Sequence, residues 1–254
     1  MTDLAVETDA LTVRFGGLTA VDGVDLRVAT GHRRAIIGPN GAGKTTLFNL
    51  IAGQVRPTSG TVKLHGRDVT GLPVQARTRA GVARTFQITN LFDELTVTDN
   101  VRLAVAGADP KVRRTFWRPL HRFPHIEARV DDLLEQWDLA AVRDERPIAL
   151  SYGQQRILEI VLATAGQQRV LLLDEPTAGV SKSEAENLVD TIDALPRDLT
   201  IILVEHDMDV AFRIADEITV MVNGEELVTG PPDTIRGDER VVEAYLGRDE
   251  SDAA

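Results

Sequence analysis

Gly38-Pro39-Asn40-Gly41-Ala42-Gly43-Lys44-Thr45 is the stretch from which the rest of the chain is read, because it fits the pattern G-x-x-x-x-G-K-[ST]. Before it, Arg33 to Ile37 reads as a short strand. After it, Lys44 to Ala52 carries Leu47, Leu50 and Ile51 at helical spacing, with Gly53 as a stop. A strand, a glycine loop and a helix start make a phosphate cradle. The glycines let backbone N–H groups close around phosphate oxygens without a clashing Cβ, and the helix start adds its positive end. Lys44 is placed to reach β and γ phosphates, and Thr45 to offer a hydroxyl to Mg²⁺.

Downstream, Val170-Leu171-Leu172-Leu173-Asp174-Glu175 is an apolar strand that delivers two carboxylates at its C-terminal end, where open α/β sheets bind ligands. The pair divides naturally into a metal-holding Asp174 and a Glu175 that orients or deprotonates an attacking water. Thr200 to Val204 is a second continuous apolar run of the kind parallel strands show when both faces are covered. Between the two runs, Ser181-x-x-Glu184 opens a helix that ends near Leu195-Pro196.

The first part of the chain is strand-rich, with alternation in Leu11 to Phe15, Val24 to Val28 and Gly60 to Leu64. From Thr96 to about Gly166 the period turns helical. Thr96-x-x-Asp99 caps Val97 to Ala106, and Ile126 to Leu139 places Ile126, Val130, Leu133, Leu134 and Trp137 on one face. Near the end, Ile218 to Val222 and Glu225 to Val228 flank the hairpin signal Asn223-Gly224, and a last helix runs from about Asp238 to Leu246. The pattern is an α/β sheet with a helical segment inserted in its middle.

Composition narrows the function. The 254 residues hold 28 Lys+Arg against 39 Asp+Glu, a net charge of -11, which argues against a chain built to grip nucleic acid. There is no cysteine, so thiol nucleophiles, zinc fingers and iron-sulfur clusters are excluded. No apolar run approaches the roughly 20 residues that span a bilayer.

Leu150-Ser151-Tyr152-Gly153-Gln154-Gln155 separates this chain from other phosphate-loop proteins. By pattern, Ser151-x-x-Gln154 caps a helix to about Ala165 and presents its positive end to an anion. The segment resembles the LSGGQ signature of the ATP-binding subunits of ABC transporters, and the resemblance runs from Phe15 to Gly247. It implies an α/β P-loop NTPase (RecA-like) core with an N-terminal antiparallel β subdomain and an inserted helical subdomain. The expected layout is one ATPase domain over 1–247, with 1–88 and 167–247 as core, 89–166 as the helical insertion and 248–254 as a disordered acidic tail. The cofactors implied are ATP and Mg²⁺. Nucleotide contacts are expected from Gly38, Pro39, Asn40, Gly41, Ala42, Gly43, Lys44, Thr45 and Thr46, from Phe15 stacking on adenine, and from Ser151, Gly153 and Gln154 of the opposite subunit. Thr45, Gln87 and Asp174 are expected at the metal, and Glu175, His206, Gln87 and Lys44 in catalysis. Most of the family carries Asp where this chain has Ser181, so coupling between the two sites through that carboxylate is not expected here, and Ser181 reads mainly as the helix cap.

Within the family the chain looks most like subunits of branched-chain amino-acid importers. The resemblance rests on Tyr152, Gly81 to Gln87, Phe15-Gly16-Gly17-Leu18 and Val241 to Gly247. It implies two transmembrane permease subunits as partners, a dimer with itself or a paralogous ATPase subunit, an indirect link to an extracytoplasmic solute-binding protein, and a peripheral place on the cytoplasmic face of the membrane. Related subunits serve lipid or lipopolysaccharide export, and soluble members act without a transporter; these are the alternative readings. Lys111 to Val130 sets six basic residues, with Phe116, Trp117 and Phe123 among them, against the single acid Glu127. It reads either as wetted surface or as a contact to a membrane partner or anionic headgroups.

Overall fold

The computed structural model describes residues 3–85, 91–115, 120, 123–166 and 168–246. Its contacts fall into two compact units, one comprising Met1–Arg84, Arg169–Pro176 and Leu195–Ala254, the other Thr85–Gln168 and Thr177–Ala194.

The first unit contains eleven strands among the described residues: β1 (Leu4–Phe15), β2 (Leu18–Val24), β3 (Arg27–Ala29), β4 (Arg33–Ile37), β5 (Ser59–Leu64), β6 (Arg67–Asp68), β7 (Val82–Arg84), β8 (Val170–Asp174), β9 (Thr200–Val204), β10 (Glu217–Val222) and β11 (Glu225–Gly230). They form two sheets. An antiparallel one runs β2-β1-β5-β6 with β3 added against β1, and a second runs β11-β10-β4-β9-β8-β7. In the second sheet only the β10–β11 hairpin is antiparallel. Every residue of β4, β8 and β9 is buried, which is why β8 and β9 read as nearly continuous apolar runs, while β4 buries Arg33 and Arg34 as well. Register then places the chemistry. Ile36 of β4 and Asp174 of β8 both lie level with Val204 of β9, so the loops leaving these three strands emerge along one edge.

Two strand readings change in the structure. β1 begins seven residues before Leu11, because Ala10 takes a left-handed φ of 44° and the pairing register with β5 shifts between Asp9 and Thr12. That break hides the alternation from Leu4 to Ala10. Val24 to Val28 is two strands, since Asp25 turns aside and its Oδ1 accepts from the Ala10 N–H at 2.6 Å.

Helix α1 (Lys44–Ala52) buries Leu47, Phe48, Leu50 and Ile51 completely within a core shared by both sheets. Burial of such side chains stabilises by roughly 1.5–3 kcal/mol each. Its end is fixed from outside by Arg77 of α2 (Val74–Arg79), whose buried guanidinium donates to the Leu50 and Ile51 carbonyls at 2.6 and 2.8 Å. A cation on the last carbonyls also suits the negative end of the helix.

The second unit is helical among its described residues: α3 (Val97–Ala108), α4 (Pro110–Arg114), α5 (Pro124–Gln136), α6 (Tyr152–Thr164) and α7 (Lys182–Asp193). Helix α3 packs on α5 and α6, and α6 on α7. The predicted apolar face of α5 is buried in full, through Ile126, Val130, Leu133, Leu134 and the following Trp137. The helix stops three residues earlier than its periodicity predicts, because Asp138 adopts φ 53°. The first unit also holds α8 (Met208–Ile214), α9 (Pro232–Arg236) and α10 (Glu239–Leu246). No helix among the described residues is long and apolar enough to cross a membrane.

Candidate functional site

The glycine loop between β4 and α1 adopts a conformation that only glycine accepts at two decisive points. Gly38 has φ 148°, and a Cβ there would lie 2.1 Å from the Met221 carbonyl oxygen. Gly43 has φ 97°, and its Cβ would lie 2.3 Å from the Ala20 carbonyl oxygen. Gly43 is also the N-cap of α1, and no side chain caps this helix. Lys44 is buried, and its Nζ donates to the Gly38 and Pro39 carbonyls at 2.7 and 3.0 Å, folding the ammonium back over the loop. Around this loop lies a cavity of about 570 Å³, lined by Asn40 to Thr46, by Leu18 to Ala20 and Asn223, and by Glu175 and His206.

Glu175 follows β8 with a left-handed φ of 48°, its N–H held by the Val204 carbonyl at 2.9 Å. For a residue with a Cβ this backbone is uncommon, and such conformations cluster at functional sites. His206, after β9, brings its Nε2 to 2.7 Å from Glu175 Oε1. Thus the two catalytic candidates from different strands meet on one wall of the cavity.

Asp174 is buried at the end of β8, and its two oxygens are treated differently. Oδ2 accepts from Arg84 at 2.7 Å, while Oδ1 has no hydrogen-bond partner. A buried, unpaired carboxylate oxygen fits a hard cation, and Thr45 of the loop is an exposed residue with a hydroxyl to offer one. Among the described residues no cluster of three or more His, Cys, Asp or Glu could hold a metal alone. Mg²⁺ is usually held by one or two protein oxygens together with substrate phosphates, which is the donor set available here. Gln87 lies outside the described residues, and so do Phe116 and Trp117 of the basic segment.

Phe15 ends β1 with about half its surface exposed, opposite the exposed Leu18. Ser151, Gly153 and Gln154 stand together in the second unit at the start of α6. Ser151 and Gln154 form a reciprocal capping box there, with the Gln154 N–H donating to Ser151 Oγ at 3.2 Å and the Ser151 N–H to Gln154 Oε1 at 3.0 Å. Tyr152 lies against Gly179 and accepts a hydrogen bond from Arg156 at 2.7 Å. Ser181 caps α7 in a second reciprocal box with Glu184.

Comparison with known proteins agrees with this geometry. The sequence matches the ABC transporter family over residues 21–178 and the branched-chain amino acid ATP-binding cassette transporter family over residues 226–251. The chain belongs to the ABC transporter family. It is 39% identical to the high-affinity branched-chain amino acid transport ATP-binding protein BraF of Pseudomonas aeruginosa, over 95% of this chain and 97% of that one. It is also 39% identical to the corresponding protein LivG of Escherichia coli K12, over 97% and 99%. Its fold matches the crystal structure of the ADP conformation of an ATP-binding cassette of an ABC transporter, with TM-score 0.82, 29% identity and coverage of 97% and 100%.

In this ABC cassette, an ATP-hydrolysing enzyme, two residues that support the first unit's site and one at the start of α7 have contacts that were not assigned from sequence. Arg84 holds Asp174 and is itself held by Asn49 Oδ1 at 2.6 Å and by Gln54, with its guanidinium over the Phe48 ring. Tyr245 of α10 has its phenol pKa raised by burial, partly offset by a hydrogen bond that its oxygen accepts from the Gly38 backbone N–H. Glu184 has a carboxyl held down to about 2 by hydrogen bonds, first from the Ser181 hydroxyl and backbone N–H, then from the Gly153 N–H. Arg84 and Tyr245 sit inside stretches quoted for the family resemblance, where nothing local tells what they touch; the Ser181-x-x-Glu184 pattern gives the cap at Glu184 but not its reach to Gly153.

Proposed function

We propose that this chain is the ATP-hydrolysing subunit that energises import of branched-chain amino acids, or a related polar solute, from the cytoplasmic face of a membrane. The observation that carries the reading is the cavity in which the glycine loop, Lys44, Glu175 and His206 converge. In it the loop amides and Lys44 bind the nucleotide phosphates, and Phe15 stacks on the adenine. Glu175 takes the proton of the attacking water, with His206 fixing the carboxylate that does so. Asp174 and Thr45 hold Mg²⁺, which supplies charge stabilisation on the β and γ phosphates; Gln87 is assigned to the same cluster. Ser151, Gly153 and Gln154 meet the γ-phosphate bound on the opposite subunit, so two ATPase subunits complete each other's sites. The working domain is residues 1–247, with 89–166 as the helical insertion into a core of 1–88 and 167–247.

The partners in this reading are two transmembrane permease subunits, a second ATPase subunit, identical or paralogous, and indirectly an extracytoplasmic solute-binding protein. A tagged Glu175→Gln chain pulled from native membranes with and without ATP tests it. Co-purification of two polytopic permeases and an ATPase partner is expected. Recovery of soluble partners alone would remove the transport assignment and leave the ATP site standing.

A further inference from the structure

The start of α6 offers an anion few donors that are not already engaged. The Gln154 N–H is taken by Ser151 Oγ, and the Gly153 N–H donates to Glu184 Oε1 at 3.3 Å. Glu184 reaches across from α7, whose own start it also serves: its Oε2 accepts from the Ser181 N–H at 3.0 Å and the Ser181 hydroxyl at 2.7 Å. One carboxylate therefore joins two helix N-termini. The approach is close, since a Cβ on Gly153 would lie 3.2 Å from Glu184 Cβ and Cγ. The Tyr152 ring also lies near Gly179, 3.7 Å from where a Cβ on that residue would stand.

We propose that Glu184 is an internal anionic gate on the signature helix: it holds the Gly153 N–H until the γ-phosphate of the opposite subunit displaces it. This rests on the reading that Ser151 to Gln154 complete the ATP site across the dimer. A carboxylate and a phosphate repel and compete for the same amide, so the competent arrangement of α6 is only a fraction of the free population. The apparent affinity for closure falls by that fraction. The carboxyl remains ionised throughout the physiological range, so protonation does not relieve the competition. The gate also occupies the segment where Ser181 replaces the family's Asp, and it gives this chain a different link between α7 and the signature turn.

Glu184→Gln removes the charge and keeps the cap, since Gln already serves at the same capping position of α6 as Gln154. ATP-driven pairing is followed by analytical ultracentrifugation on the full chain in the Glu175→Gln background, with the second ATPase subunit added if the membrane pull-down recovers one. Glu184→Gln is expected to lower the ATP concentration for half-maximal pairing by roughly 3- to 10-fold. Affinity of the unpaired chain for a fluorescent ATP analogue should stay unchanged. Ser151→Arg should abolish pairing with either residue at 184. An unchanged or higher midpoint for Glu184→Gln, with Ser151→Arg still inactive in pairing, overturns the gate and leaves the composite site intact. Pairing that survives Ser151→Arg, or that never appears with ATP, removes the composite site and the gate with it.

Discussion

Two helix N-termini of the chain are built by opposite means. Helix α1 starts at Gly43, with no side-chain cap and no acidic residue in its first turn. Helix α6 starts at Ser151, with a reciprocal capping box and a carboxylate from α7 on its second amide. Unpaired helix amides seek an acceptor, and a positive helix end attracts an anion. The first terminus has no side-chain cap, and glycine geometry shapes the loop that leads into it. The second is already satisfied by the chain, so a phosphate there must exchange with protein groups. A permanent nucleotide cradle suits the first arrangement, and a contact made and broken in each cycle suits the second.

The largest expected effect isolates the chemistry from either helix end. Glu175→Gln should bind ATP normally yet turn over slower by roughly 10²- to 10⁴-fold in a coupled phosphate-release assay, as for loss of a catalytic base. Near-normal turnover would take Glu175 out of that role. Next comes a matched pair of substitutions. Gly43→Ala forces a Cβ against a backbone oxygen in a left-handed conformation and should cost about 2–3 kcal/mol in urea unfolding, with ATP binding weakened. Gly153→Ala brings its Cβ to 3.2 Å from Glu184 Cβ and Cγ, a crowding that a shift of a few tenths of an ångström relieves, and gains helix propensity, so stability should move by less than about 1 kcal/mol. Equal losses would erase the distinction between a backbone-built and a side-chain-built terminus.

Ser151→Ala tests the cap itself and should lower stability by about 1 kcal/mol, read as a small fall in Tm. The smallest effect is a pH dependence. The Glu184 carboxyl is lowered from 4.5 to about 2, so its contribution to stability is present above 4.5 and fades as pH falls towards 2. The Tm difference between the parent and Glu184→Gln should therefore hold from pH 7 to about 5 and shrink below that. A difference that grows on acidification contradicts the hydrogen bonds at Ser181 and Gly153.

What could be read from sequence follows the same division. The bounds of β4 and α1 were legible because a buried strand, a glycine loop and a helical period are all local patterns, and both capping boxes were visible as S-x-x-Q and S-x-x-E. Arg84 and Asp174 are 90 residues apart, and only the parallel register of β7 on β8, with Arg84 level with Leu172, brings them together. Arg77 closes α1 through carbonyls, which carry no sequence signal at all. The short elements β7, α2 and α9 span three to six residues, too few for a period to show. Each cap could be read as a local pattern, but the Gly153–Glu184 contact joins residues 31 apart and appears only in the fold.

The left-handed backbone at Glu175 has a consequence for mutagenesis at that position. Glycine reaches such a φ without the penalty of about 1–2 kcal/mol that a Cβ incurs, whereas valine or isoleucine meets it in full. A saturation scan should then sort its variants on two axes that run against each other. Glu175→Gly would melt at or above the temperature of the parent and be catalytically silent, while β-branched variants would be silent and less stable. A screen that selects position 175 for thermal tolerance would thus select against the enzyme.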